Sequence, residues 1–308
     1  MDNYPGRYFR LALTPDPFVY HINGTAAFIR HRALPYQLTK AAGYLMYPRL
    51  PKTFKNTYAF KVSAPSFIYP DDYVPNVQLL GPFLDEIELL CFESLPSSLP
   101  SPGTIHELES LAREFQFTYN VHLPSDLDPG NPERKERDNF VESILRVVEL
   151  TLPLAPTAYI LHLPYRQAQI GQICDRAWQL RISDCLRRLS EAGVPDHALC
   201  IETLDYPLEW IEQILQGLDL SICLDMGHLI VNHQNVETAY HRFAGRTRMI
   251  HLHGVSDGKD HLSLEVLNQN QLDEIFSVLK QFTGTVSLEV FSFNHLLNSL
   301  AVLEKNLR

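Results

Sequence analysis

The chain has 308 residues, 45% hydrophobic and 20% charged, which fits a folded protein with a large core and excludes a disordered or fibrous one. A formal net charge of −10 with no Lys/Arg-rich stretch argues against a broad nucleic-acid face. There is no signal-like leader or span-length apolar run, and the five cysteines show no paired spacing, so a cytoplasmic setting away from membranes is expected.

Residues 1–57 are rich in Pro, Tyr and Arg, with one helix-like patch at Tyr36 to Tyr47. This stretch reads as an N-terminal arm that packs on the main domain or on a second subunit, the latter implying a homo-oligomer. From Tyr58 onward, short β-rich runs alternate with segments of helical period. The predicted strands are 58–64, 85–92, 117–123, 157–163, 198–203, 219–225, 247–253 and 285–291. Helical stretches fall at Gly103–Gln116, Pro132–Leu152, Ala168–Ala192, Val236–Ala244 and Gln269–Gln281, and Asn294–Leu307 closes the series. Pro132 and Pro207 suit first helical turns, and Gly193 and Gly284 suit helix stops. Eight βα units without a glycine-rich dinucleotide motif predict an α/β fold, a (β/α)8 TIM barrel over residues 58–308 with an N-terminal extension.

Chemistry in such a barrel sits where strands end. Here the ends carry Glu93, His122, His162, Glu202, Asp225, His251 and Glu289 on strands two to eight. His228 is placed in the loop after strand six, and Asp260 and His261 follow strand seven. His253 shares parity with His251; Glu88 lies at opposite parity to Glu93 and inside the barrel. Buried carboxylates are costly unless paired or bound to a cation, so this ring of acids and imidazoles predicts divalent metal. Ligands of nitrogen and oxygen without cysteine suit zinc first, and iron, manganese or cobalt accept the same set.

The strand-end set resembles the xylose isomerase-like barrel superfamily, which includes sugar epimerases, isomerases and endonuclease IV-type phosphodiesterases. That resemblance implies one metal at Glu202, Asp225, His251 and Glu289, and a second at His122 and His162 with Glu202 bridging. It also implies a role for His228 and for an Asp/His pair after strand seven. Asp260 and His261 are adjacent, whereas the endonuclease IV-like branch spaces its pair by one residue, a departure that bears on a third ion.

Ala64-Pro65-Ser66-Phe67-Ile68-Tyr69-Pro70-Asp71-Asp72, Asn76-Val77, and Asp85 through Glu93 are similar to the cobamide-remodelling phosphodiesterases of this superfamily. So are Leu224-Asp225-Met226-Gly227-His228, His251-Leu252-His253-Gly254-Val255 and Asp260-His261. This likeness implies metal-dependent hydrolysis of the nucleotide-loop phosphodiester of a vitamin B12-type cobamide, giving cobinamide phosphate and a riboside. A small-molecule corrinoid is then the partner. Glu202, Glu289 and His228 are expected to be catalytic, with two or three divalent ions and a water attacking between the first two. Ser66, Tyr69, Asp71, Glu93 and His253 are expected to face the substrate. The alternative is a metal-dependent sugar or sugar-phosphate isomerase or epimerase, using the strand-five-to-eight metal and moving a proton with Glu202 and Glu289. Double-strand DNA repair fits the acidic charge poorly, and a barrel that only binds a corrinoid would not need the carboxylate ring.

Overall fold

The structure is a computed structural model describing residues 47–165 and 176–307. Its barrel strands are β1 (Lys61–Pro65), β2 (Glu86–Leu90), β3 (Thr118–His122), β4 (Tyr159–Leu161), β5 (Leu199–Glu202), β6 (Ser221–Asp225) and β7 (Thr247–Leu252). A hairpin of β8 (Gly254–Ser256) and β9 (Lys259–Leu262) follows, and β10 (Thr285–Leu288) completes the set. The closed order is β1-β10-β7-β6-β5-β4-β3-β2, with every barrel pairing parallel. Seven of the eight predicted runs contain one barrel strand and the first overlaps β1, which ends one residue later at Pro65, so the (β/α)8 TIM barrel is the fold.

The strands are apolar because helices cover their outer face and side chains fill the interior. The outer helices bury one stripe each: Ile105, Leu108 and Leu111 on Pro102–Phe115, and Phe140, Val141, Ile144 and Val147 on Arg134–Thr151. Inside the barrel, polarity is layered. At the N-terminal ends of the strands, the buried Glu86 carboxylate accepts from Lys61 Nζ at 3.2 Å, Thr118 Oγ1 at 2.6 Å, Asn120 Nδ2 at 2.9 Å and Thr157 Oγ1 at 2.8 Å. Ala158, Ile160, Cys200, Cys223 and Met249 form a small apolar cluster of their own. Their strand parity places them between Glu86 and the strand ends that carry His162, Glu202, Asp225 and His251.

The structure refines several expectations. His228 is not in a loop: it lies in the first turn of the helix Met226–Val231, whose cap is Asp225, with Oδ1 accepting the His228 backbone N–H at 2.7 Å. The β8–β9 hairpin was not foreseen; it turns at Asp257-Gly258, with φ of 52° and 72°. Gly284 leads into β10 instead of stopping a helix, and a Cβ there would lie 2.3 Å from the Arg248 carbonyl. Residues 1–46 of the arm, with most of the Tyr36–Tyr47 patch, lie outside the described residues, as does the start of the Ala168–Ala192 stretch. Residues 47–57 pack on the barrel: Leu50 and Phe54 are buried, and the Phe54 N–H donates to the Phe83 carbonyl at 2.8 Å. Cys91, Cys185, Cys200 and Cys223 are free and buried, and no described helix is long and apolar enough to cross a membrane.

The Glu86 network generates a stability prediction. Glu86→Ala strands several buried donors and is expected to lower unfolding free energy by about 2–4 kcal/mol. Urea denaturation checks this, and cation binding at the opposite end should be unchanged.

Candidate metal centre

Parallel register delivers the donors to one place: Asp225 pairs with His251, and Glu202 pairs with Cys223, two residues before Asp225. Period-two alternation then turns Glu202, Asp225, His251 and His253 inward. Glu202 is the hub. Its Oε2 lies 2.9 Å from His162 Nε2, 3.4 Å from His122 Nε2 and 3.5 Å from His251 Nδ1. His251 Nδ1 is also 3.1 Å from Glu289 Oε2 and 3.9 Å from Asp225 Oδ2. The structure therefore brings His122, His162 and Glu202 into one set, and Glu202, Asp225, His251 and Glu289 into an adjoining one.

These donors fit a cation better than they fit one another. His122 Nε2, Asp225 Oδ2, His251 Nδ1 and Glu289 Oε2 are buried and have no hydrogen-bond partner among the described residues, although their neighbours are close. Bonds of about 2.0–2.1 Å to zinc put adjacent tetrahedral ligand atoms about 3.3 Å apart, which is the spacing of most of these pairs. Atoms at that separation but out of N–H alignment converge on a shared point.

Backbone carbonyls set the histidine tautomers. His122 Nδ1 donates to the Leu123 carbonyl at 2.9 Å, His228 Nδ1 to Thr203 at 3.2 Å and His261 Nδ1 to Glu289 at 2.9 Å, leaving each Nε2 bare. His253 is different. Its Nδ1 accepts the His261 backbone N–H at 3.0 Å, so the neutral ring carries its proton on Nε2, 3.3 Å from Asp225 Oδ1. It stands against Asp225, its Nε2 out of hydrogen-bond alignment with the carboxylate, and it is fully buried, where the sequence places it facing substrate. Gly227 makes room for it: a Cβ there would lie 2.0 Å from His253 Cε1.

The rim also differs from expectation. Ser66 is fully buried, its hydroxyl accepting the Leu90 N–H at 3.1 Å, and Tyr69 is buried with its hydroxyl donating to the Pro48 carbonyl at 2.7 Å; neither is free for substrate. Asp71 is exposed and its Oδ1 accepts the Asp72 N–H. Glu93 is half-buried beyond β2, and its charge acts on the Tyr73 phenol. Asp260 neighbours His261 on β9, both half-buried, where a bulge in the β8–β9 ladder and a left-handed φ of 52° at His261 interrupt the strand, and the Asp260 charge acts on the His261 ring. The partly exposed donors are His162, His228 and His261, at 22%, 22% and 23%, so these rings face what enters. Phe92 and Phe291, both half-buried, stand beside them, Phe92 edge-on to His122 at 4.6 Å and Phe291 5.0 Å from His261.

Without a cation, protons balance the carboxylates. Burial pushes the Glu202 carboxyl up, but the His162 and His251 charges outweigh it and hold the group well below its usual range. Glu289 is lowered against burial chiefly by His251 and His261. Burial disfavours charge on His251, yet Cys223, Glu88, Glu289 and Glu202 raise it well above an ordinary imidazole. His228, with Asp225 and Glu202 overcoming burial, is pushed up to about 9. Burial and His253 lower His261.

The sequence model of the xylose isomerase-like TIM barrel family matches residues 80–308. The chain belongs to that family. No curated protein sequence matches it. Among solved structures, a D-tagatose 3-epimerase-like protein superposes with a TM-score of 0.67 at 18% identity, covering 80% of this chain and 97% of that one. D-psicose 3-epimerase from Clostridium cellulolyticum H10 gives 0.60 at 15% identity over 81% and 90% of the two chains. The 3-keto-D-glucoside 4-epimerase of E. coli gives 0.59 at 14% identity over 80% and 99%. At these identities the likeness shows the barrel fold alone.

Two outcomes are expected for this family member. Because imidazolium cannot ligate, cation binding near pH 7 releases protons and tightens as pH rises from about 6 to 8. Zinc calorimetry in buffers of different ionisation enthalpy reads this as a buffer-dependent heat; equal heats would contradict it. Gly227→Ala, by displacing His253 from Asp225, weakens zinc affinity about 10-fold in a chelator competition.

Proposed function

We propose that this xylose isomerase-like barrel is a metal-dependent phosphodiesterase that hydrolyses the nucleotide-loop phosphodiester of cobamides, giving cobinamide phosphate and a riboside. One observation carries the hydrolase reading: two adjoining donor sets share Glu202, and His122 and His162 extend the family's carboxylate-rich set with nitrogen donors. The cobamide substrate rests on the sequence likeness of the segments around Ser66, Asp85–Glu93, Asp225–His228 and Asp260-His261.

His122, His162 and Glu202 would hold one divalent ion, and Glu202, Asp225, His251 and Glu289 the other, with zinc favoured by the ligand types. Bound ions supply charge neutralisation for the phosphodiester, a nucleophilic water near neutral pH and stabilisation of the departing alkoxide. The chain's own residues do the rest. Glu202 and Glu289, almost fully buried, keep their charge at the reacting centre, and a carboxylate oxygen there accepts the proton of the attacking water. His228 and His261 are partly exposed at the mouth, their Nδ1 atoms held by the Thr203 and Glu289 carbonyls, so their Nε2 atoms are the ones left to meet a phosphoryl oxygen, directly where Nε2 carries a proton. His228, His253 and His261 cluster at this pole, and with His253 Nε2 facing Asp225 the other two imidazoles remain for a substrate oxygen, Asp260 standing beside His261. Phe92 and Phe291 give the mouth an apolar wall for a bulky heteroaromatic group.

The second reading is a sugar or sugar-phosphate epimerase, in which Glu202 and Glu289 exchange a proton beside a carbonyl. The structural neighbours favour it more than they favour hydrolysis, since their names are those of sugar epimerases. It gives no task to the His122–His162 pair.

Incubating the zinc-, iron-, manganese- or cobalt-loaded protein with a complete cobamide separates the two. Cobinamide phosphate and a free riboside are the expected products by mass; an unchanged cobamide with ketose epimerisation would establish the second reading. Glu202→Gln and Asp225→Asn should each reduce turnover about 100-fold or more with an unaltered circular dichroism spectrum.

A further inference from the structure

We infer that Glu88 is the positioning residue that leaves His251 Nδ1 bare for a cation; this rests on the metal-centre reading above. Glu88 lies in the middle of β2, and its side chain is fully buried inside the barrel. Its Oε2 accepts the Ser287 hydroxyl from β10, and its Oε1 has no hydrogen-bond partner among the described residues and sits 3.2 Å from His251 Nε2.

The His251 ring therefore spans two groups of acids. Nε2 looks at Glu88, and Nδ1 looks at Glu289, Glu202 and Asp225. A neutral imidazole carries one proton, and three carboxylates around Nδ1 draw it to the nitrogen that must be bare in order to ligate. His122, His228 and His261 escape this problem by donating Nδ1–H to the carbonyls of Leu123, Thr203 and Glu289. No hydrogen bond to a backbone carbonyl is described for the His251 ring, which is fully buried within the barrel. Glu88 supplies the missing acceptor. A carboxylate behind a ligating histidine holds the ring's far proton and raises the basicity of the near nitrogen, and such partners govern metal affinity by about 10–100-fold. The Nε2 and Oε1 atoms are 3.2 Å apart but out of hydrogen-bond alignment, and this role for Glu88 requires the ring to turn into alignment when Nδ1 takes a cation.

The alternative role for Glu88 is a brace that ties β2 to β10 through Ser287. The two are separated by titrating the full-length wild type, E88Q, E88A and S287A with zinc against a chelating dye. Long-range nitrogen–proton spectra of the histidine-labelled, zinc-loaded proteins accompany the titration. Expected is a loss of about 10–100-fold in affinity for one zinc equivalent in E88A. E88Q should lose less, because its amide oxygen still accepts from Nε2, and S287A should keep wild-type affinity with His251 protonated at Nε2. If E88A does not fold, E88Q against S287A still discriminates. Equal losses in S287A and the Glu88 variants, or wild-type affinity and tautomer in all of them, would overturn the inference while leaving the metal centre standing. A wild type that takes up no zinc would overturn both.

Discussion

Three carboxylates, Glu202, Asp225 and Glu289, are buried side by side at the C-terminal ends of β5, β6 and β10, and the rest of the molecule is arranged around that fact. Like charges in a low-dielectric interior are tolerable only beside positive charge, so the neighbouring strands supply imidazoles at 2.9–3.5 Å from Glu202. Those acids favour the protonated form of His122 and His251 against the effect of burial, and a cation ligated by these rings would displace that proton. The barrel mouth therefore stores an exchange between protons and metal.

Precision at this mouth comes from ordinary parts of the barrel. Parallel register sets which side chains share a layer, and backbone carbonyls just past the strand ends fix three ring tautomers. The short helix after β6 uses Asp225 as its cap, so one carboxylate both starts a helix and faces the donors through its second oxygen. The glycine beside it exists because His253 occupies the volume a side chain would fill. Beneath the donors, Glu88 and then Glu86 continue the polar interior, with Ile160, Cys200, Cys223 and Met249 as the apolar plug.

Fold and donor set were legible in the chain because each barrel strand is a largely apolar run and each donor lies at or near the C-terminal end of one, as His122, His162, Glu202, Asp225, His251 and Glu289 do. What the sequence hides is direction. Nothing in Lys259-Asp260-His261-Leu262 announces an antiparallel hairpin with a bulge at His261, since a three- to four-residue strand leaves almost no periodic signal. Ser66 and Tyr69 looked like rim residues because they follow β1, yet their hydroxyls are spent on Leu90 and Pro48, backbone partners that no local pattern reveals. His253 was visible as an inward residue, but its function depends on which nitrogen is bare, and only the His261 N–H decides that. Substrate class depends on groups at the rim, where loops follow no period at all.

The central claim is that the donors around Glu202 hold two divalent cations. Anomalous diffraction from crystals grown with zinc, collected on both sides of the zinc edge, tests it most directly. The account predicts two peaks, one among His122, His162 and Glu202 and one among Glu202, Asp225, His251 and Glu289, with His253 Nε2 still beside Asp225. Crystals showing no anomalous peak there, with Glu202 paired directly to His162 and His251, would contradict it.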